Sequence, residues 1–144
     1  MKIHSAFTLV ESMLVLLVVS LFVMLPAVTM KNTKDSLEVL HFLDHFEKNI
    51  LLTQQTAITS GYATKMIQSD SGEEYYFYTD EILYQKLPEE LTASQIRILY
   101  FKPNSGNNSS LQTLNFYWPK ENKKITYRFK FARGHYEKEI SKLQ

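Results

Sequence analysis

The stretch HSAFTLVESMLVLLVVSLF, residues 4–22, sets one acid, Glu11, near the start of an apolar run that continues to Met30. From Ser12 to Met30 no side chain is charged, and Phe7 to Met30 makes 24 residues interrupted only by Glu11. A helix rising about 1.5 Å per residue carries such a run roughly 36 Å, against a bilayer hydrocarbon core of about 30 Å. A transmembrane helix over 7–30 is the expectation. A bare carboxylate inside a bilayer costs at least about 2.5 kcal/mol, so Glu11 calls for an interfacial position or a partner.

A cleaved secretory signal fits this stretch poorly: its basic region would be MKIH, and no small-residue A-x-A site separates the apolar run from MKNTKD. Hydropathy alone is satisfied by a plain single-pass anchor. The local order is more specific. The leader MKIHSA ends in a small residue, Ala6, and Phe7, Thr8, Leu9 and Val10 precede Glu11, the fifth residue after that candidate cut. This order resembles the class III signal of type IV pilins and pseudopilins. The resemblance implies that residues 1–6 are a leader removed between Ala6 and Phe7, and that the new Phe7 amine is methylated. It implies further that Glu11 forms an assembly salt bridge with such an amine, of its own chain or of a neighbour. Ala6 departs from the more usual Gly of that family. At an effective dielectric near 20, unit charges about 4 Å apart attract by roughly 4 kcal/mol, which offsets much of the burial cost.

Pro26 interrupts the run and cannot donate to the carbonyl of Phe22, so a helix kink is expected there. Membrane helices tolerate proline for general reasons, and pilin stems often carry a helix breaker in this region. After MKNTKDS the helical period resumes: Leu37, Leu40, Leu43, Phe46, Ile50 and Ala57 recur every three or four residues, with Leu51 and Ile58 beside them. Residues 31–60 therefore read as an amphipathic continuation of the helix, ended by Gly61. His41 and His45 stand at i, i+4, but with no third ligand nearby they read as surface histidines, and no metal or cofactor is expected.

Beyond Gly61 the period drops to two, and 61–144 reads as an antiparallel sheet domain. Candidate strands are 62–68, 74–79, 95–101, 111–118, 125–131 and a short run near Tyr136, with SDSGE and KENKK as hairpin turns. Ile125, Tyr127, Phe129 and Phe131 alternate with Thr126, Arg128 and Lys130, which predicts one covered and one wet face. The helix stripe is the available cover. The nine Tyr and nine Phe suit strands, and the chain has no Cys, so disulfides and thiolate metal sites are excluded. KPNSGNNSS from Lys102 has no phosphate-binding pattern, its Asn-Ser-Ser sequon carries little weight, and the chain shows no catalytic constellation, so a non-enzyme is expected.

Charge is unevenly placed. Residues 32–95 hold four Lys and eleven Asp or Glu, and residues 96–144 hold ten Lys or Arg and three Glu, for net charges of −7 and +7. Subunits could dock acidic surface to basic surface. Alternatively, a basic contact surface of Lys123, Lys124, Arg128 and Lys130, with Tyr117, Trp118, Tyr127 and Tyr136 interleaved, could meet DNA. Aromatics in a β-rich domain are mostly core and Lys-rich strand faces mostly solvated, which favours docking.

The stem LVESMLVLLVVS, the small size, the missing cysteines and the aromatic C-terminal strands ending in ARGHYEKE resemble minor pseudopilins of the Gram-positive competence apparatus, the ComG group, and most of all its ComGD-type members. NSGNNSSLQTLNF departs from the Gly-Asn turn and following Gly often found there, since Leu111 and Gln112 stand instead. The fold class implied is α+β and type IV pilin-like, with the C-terminal half of a long N-terminal transmembrane helix packed on a small antiparallel sheet. The implied partners are other major and minor pseudopilins, a prepilin peptidase, the pilus assembly ATPase and platform protein, and the membrane. The implied location is the cell membrane, single-pass with the C-terminal domain outside, and then a surface pilus that takes up DNA. A secretion or adhesion pilus and an unprocessed anchor displaying a binding domain are the alternatives.

Overall fold

In the computed structural model the described residues are 9–96, 98–130 and 134–143, and for 25–32 only the backbone is described. The chain is α+β. Helix α1 (Leu9–Ser60) precedes eight strands: β1 (Thr64–Gln68), β2 (Glu74–Tyr78), β3 (Ile82–Lys86), β4 (Thr92–Ala93), β5 (Ile98–Phe101), β6 (Gln112–Trp118), β7 (Lys123–Phe129) and β8 (Tyr136–Lys142). Two compact units divide it, Met1–Leu37 and Glu38–Gln144.

In the first unit every described side chain from Leu9 to Met24 is exposed, because a lone apolar helix has no chain partner to bury against. Among the described residues, no helix is long and apolar enough to cross a membrane, the described side chains of the run ending at Met24. The backbone is helical without a break through Pro26 and through residues 32–36. The side chain of Pro26 lies outside the described residues.

The second unit corrects the expected single sheet. Its strands form two four-stranded antiparallel sheets, ordered β3-β2-β1-β5 and β4-β6-β7-β8. The two hairpins expected from SDSGE and KENKK are present. Gly72 takes φ +80 in the first, and in the second a 3₁₀ turn at Pro119–Glu121 ends on Asn122 at φ +53. β3 was not foreseen, because Ile82, Leu83 and Tyr84 are consecutive apolar residues with no polar alternation in the sequence, although burial alternates along the strand. β7 begins at Lys123 and ends at Phe129, so Phe131 falls outside the described residues and Lys130 lies beyond the strand. Thr126, expected on the wet face, is buried and donates to Asn115 Oδ1 at 2.9 Å.

The helix face also differs from expectation. Val39, Phe42, Leu43, Phe46, Ile50 and Ala57 are buried, whereas Leu37, Leu40, Leu51 and Ile58 remain 43–54% exposed. At about 100° per residue, Leu40, Leu51 and Ile58 point roughly 100–120° away from Val39, off the buried seam. Phe46 is fully buried at the centre, with ring centroids 5.3 Å from Tyr75, 5.7 Å from Phe77, 5.2 Å from Phe116 and 5.7 Å from Tyr127. One helix residue thus joins aromatic side chains of both sheets. Gly61 ends α1 at φ +74, and the loop after β5 closes over that end, with the Asn104 amide donating to the Ala57 carbonyl at 2.9 Å.

Candidate functional site

Ala6 and Phe7, the expected cleavage and methylation positions, lie outside the described residues. Glu11 is exposed in the first described turn of α1. His41 and His45 line a shallow groove with Tyr84 and Lys86, and among the described residues no three His, Cys, Asp or Glu side chains group as metal ligands.

The four basic residues of the expected contact surface do not share one face. Strand alternation turns Lys123 to the helix side with Ile125 and Tyr127, and Lys124 and Arg128 to the opposite side. β8 lies antiparallel beside β7, with Thr126 opposite Glu139 and Arg128 opposite Glu137. Arg128 Nη1 lies 2.6 Å from Glu139 Oε2, and Lys130 pairs with Glu137. Acids of the last strand therefore neutralise the middle of the basic surface. Lys123 and Lys124 lie at the other end of β7, their ammonium groups 5.5 Å from the Trp118 ring centre and 5.7 Å from that of Tyr117. Lys123 also lies 3.4 Å from Glu121. The strongly basic part of the surface is thus the β6–β7 turn, and not a stripe along β7.

Polar side chains on the two flanks of α1 tie it to the two sheets. On one flank, Asn49 donates to Gln85 Oε1 at 3.3 Å, and Gln85 Nε2 donates to the Phe42 carbonyl at 2.7 Å. On the other, Glu47 accepts from the Tyr127 hydroxyl at 2.8 Å, the Tyr136 hydroxyl at 3.3 Å and Lys138 Nζ at 2.5 Å. Burial, with the Glu47 carboxylate beside it, pushes the Tyr127 phenol far above its usual range, and the same causes push Tyr136 up to about 12. A carboxylate disfavours a neighbouring phenolate, so both phenols keep their protons at neutral pH. In the sequence Glu47 is simply one charged residue off the apolar stripe. Nothing in a single sequence links it to tyrosines 80 and 89 positions away.

No protein family, no curated protein and no solved structure matches this chain.

Proposed function

We propose that the chain is a minor pseudopilin of a competence pilus, akin to the ComGD-type members of the ComG group. It is inserted in the membrane through its N-terminal helix and joins other pseudopilins in a filament that brings external DNA through the wall. The observation that carries this reading is the uninterrupted order of leader, Ala6, Phe7, Thr8, Leu9, Glu11 and the uncharged run Ser12 to Met30. Two features support it. The apolar stem is helical and exposed from Leu9 to Met24, in need of lipid or neighbouring helices, and the second unit is a helix packed on antiparallel sheet, as a pilin-like body requires.

In this reading residues 7–30 form the membrane and filament-core segment, and the prepilin peptidase cuts before Phe7 and methylates its amine. Glu11 then pairs with an amine during assembly and sets the axial register of subunits. N-terminal mass analysis of pilus-associated protein tests it: a methylated Phe7 terminus is expected, and an intact Met1 terminus refutes processing. Glu11→Val should leave a stable, membrane-inserted chain that enters pili poorly. Normal incorporation and normal transformation would refute the pairing. Full secretion or adhesion with no loss of transformation in a deletion strain would move the assignment to another pilus.

A further inference from the structure

We infer that β3 and β8 are the two halves of a head-to-tail contact, through which a second copy of this chain adds its sheet to this one; the inference rests on the filament reading above. β3 ends the first sheet and β8 the second, and among the described residues no strand pairs with the outer edge of either. They lie on opposite flanks of α1, β3 on the side of Asn49 and β8 on the side of Glu47. Both run antiparallel to the helix. The start of β3 lies by the helix end, where the Tyr62 hydroxyl donates to Asp80, and its far end sets Lys86 and Pro88 beside Glu38 and His41. On the other flank Tyr136 meets Glu47, and Ile140 shares a groove with Leu40. A second copy in the same orientation therefore presents its β3 parallel to this β8.

Backbone and side chains select the same arrangement. The Leu87 amide donates to the Glu73 carbonyl at 2.7 Å and the Thr79 amide to the Glu81 carbonyl at 2.9 Å, so alternate residues from Glu81 to Leu87 face β2, and the amides and carbonyls of Ile82, Tyr84 and Lys86 point outward. By the same alternation from the bond between Leu143 and Asn122, Tyr136, Lys138, Ile140 and Lys142 point outward from β8. On β3 these residues carry their side chains on the face away from Gln85 and the helix, whereas on β8 Tyr136 and Lys138 reach Glu47 on the helix side. Antiparallel neighbours pair outward residues directly, which would set the outer face of one copy against the helix face of the next. Parallel neighbours stagger them by one residue and keep both helices on one side. One parallel register sets Lys86 beside Glu139, Leu83 beside Tyr136 and Leu87 beside Ile140, and opposes no like charges. A shift of two residues either way sets Leu83 or Leu87 beside Lys138 instead. A second β8 laid on this one in full overlap would centre Glu139 on Glu139. Ile82 and Ile140 are 63% and 59% exposed, so both edges keep apolar surface that a neighbouring strand covers. Because the two edges differ, the contact repeats from copy to copy.

The chain has no cysteine, so introduced pairs report the contact. Directly opposed residues of neighbouring strands lie about 4.8 Å apart, within disulfide reach. The full-length chain carrying K86C and E139C is oxidised with copper phenanthroline in membranes of expressing cells. A ladder of multimers is expected, because the two positions lie on opposite flanks of one chain and close no disulfide within it. K86C/S141C, which reports the shifted register, should cross-link at least about two-fold less. Adding Y84P removes an outward amide and no bond to β2, so the ladder should fall about five-fold while the urea midpoint of the chain holds. Adding I140E, on the other edge, should lower it by about two- to five-fold. Monomer alone from a processed, membrane-inserted chain, or a ladder unchanged by both Y84P and I140E, overturns this inference and leaves the filament reading standing. A dimer from either single-cysteine chain shows an edge meeting itself and overturns it as well. Cross-linking only to a different pseudopilin overturns the second copy as occupant. A ladder from chains that keep an intact Met1 terminus supports the contact and refutes the processing on which the filament reading depends.

Discussion

Glu47→Ala removes one acceptor from three donors, and the structure sets the size of the effect. The Tyr127 ring is fully buried, so its hydroxyl, 2.8 Å from Glu47, loses its partner in a place water does not reach. Leaving such a group unsatisfied costs about 1–3 kcal/mol. The Lys138 pair is partly exposed, with side chains 35% and 29% accessible, and adds at most about 1 kcal/mol. The sum, about 1–4 kcal/mol, lowers the melting temperature of a unit of this size by roughly 4–20 °C. Glu47→Gln keeps a carbonyl acceptor for Tyr127 and should cost at least about 1 kcal/mol less than Glu47→Ala. The assay is urea unfolding of the full chain in detergent micelles, followed by Trp118 fluorescence, with Tyr127→Phe and the double variant completing a cycle. A coupling energy of about 1 kcal/mol or more is expected. Equal costs for Gln and Ala, or additive single variants, would refute the view that Glu47 holds the helix to the second sheet through Tyr127.

Phe46→Ala should destabilise the second unit by about 3–5 kcal/mol, whereas Leu40→Ala, at a side chain 54% exposed, should cost under about 1 kcal/mol; comparable urea midpoints for the two would contradict the buried seam described above. The phenol of Tyr136 is pushed up, so its contribution to stability is complete below about pH 10, the ordinary tyrosine value, and is lost as pH rises toward about 12. Urea midpoints measured at pH 9 and pH 11.5 should therefore fall, and less steeply in Tyr136→Phe. Gly61→Ala forces a side chain into φ +74 with its Cβ 3.3 Å from Asn104 Oδ1, and should cost about 1 kcal/mol or more by the same assay.

Much of the second unit was legible because its patterns are local. The helix end at Gly61, the SDSGE turn and the alternation around Tyr127 each depend on neighbours a few residues apart. The division into two sheets was not legible, because it depends on which partners strands choose. β4 has only two residues and joins the second sheet, and β5 returns to the first. Nor was the buried seam of α1. Leu40, Leu51 and Ile58 score as apolar as the true core, and only the position of the sheets decides which arc of the helix is covered. The excess of basic residues was legible as charge, but the pairing of Arg128 and Lys130 with acids of β8 was not, since it needs the strand register. The first residues, through Ala6 and Phe7, remain a matter of motif order.

The strand exchange between the sheets has a consequence in time. β6, β7 and β8 leave a ribosome after the strands of the first sheet, yet they supply Leu114, Phe116, Ile125, Tyr127 and Phe129 to the interior. Until they arrive, Phe46 has only the rings of the first sheet and of its own helix for company, and β4 waits with no partner. The nascent chain thus emerges as a helix and one finished sheet with an apolar flank still open. Its completion is a late annealing step, during which that flank is vulnerable to capture by a chaperone, a protease or another chain.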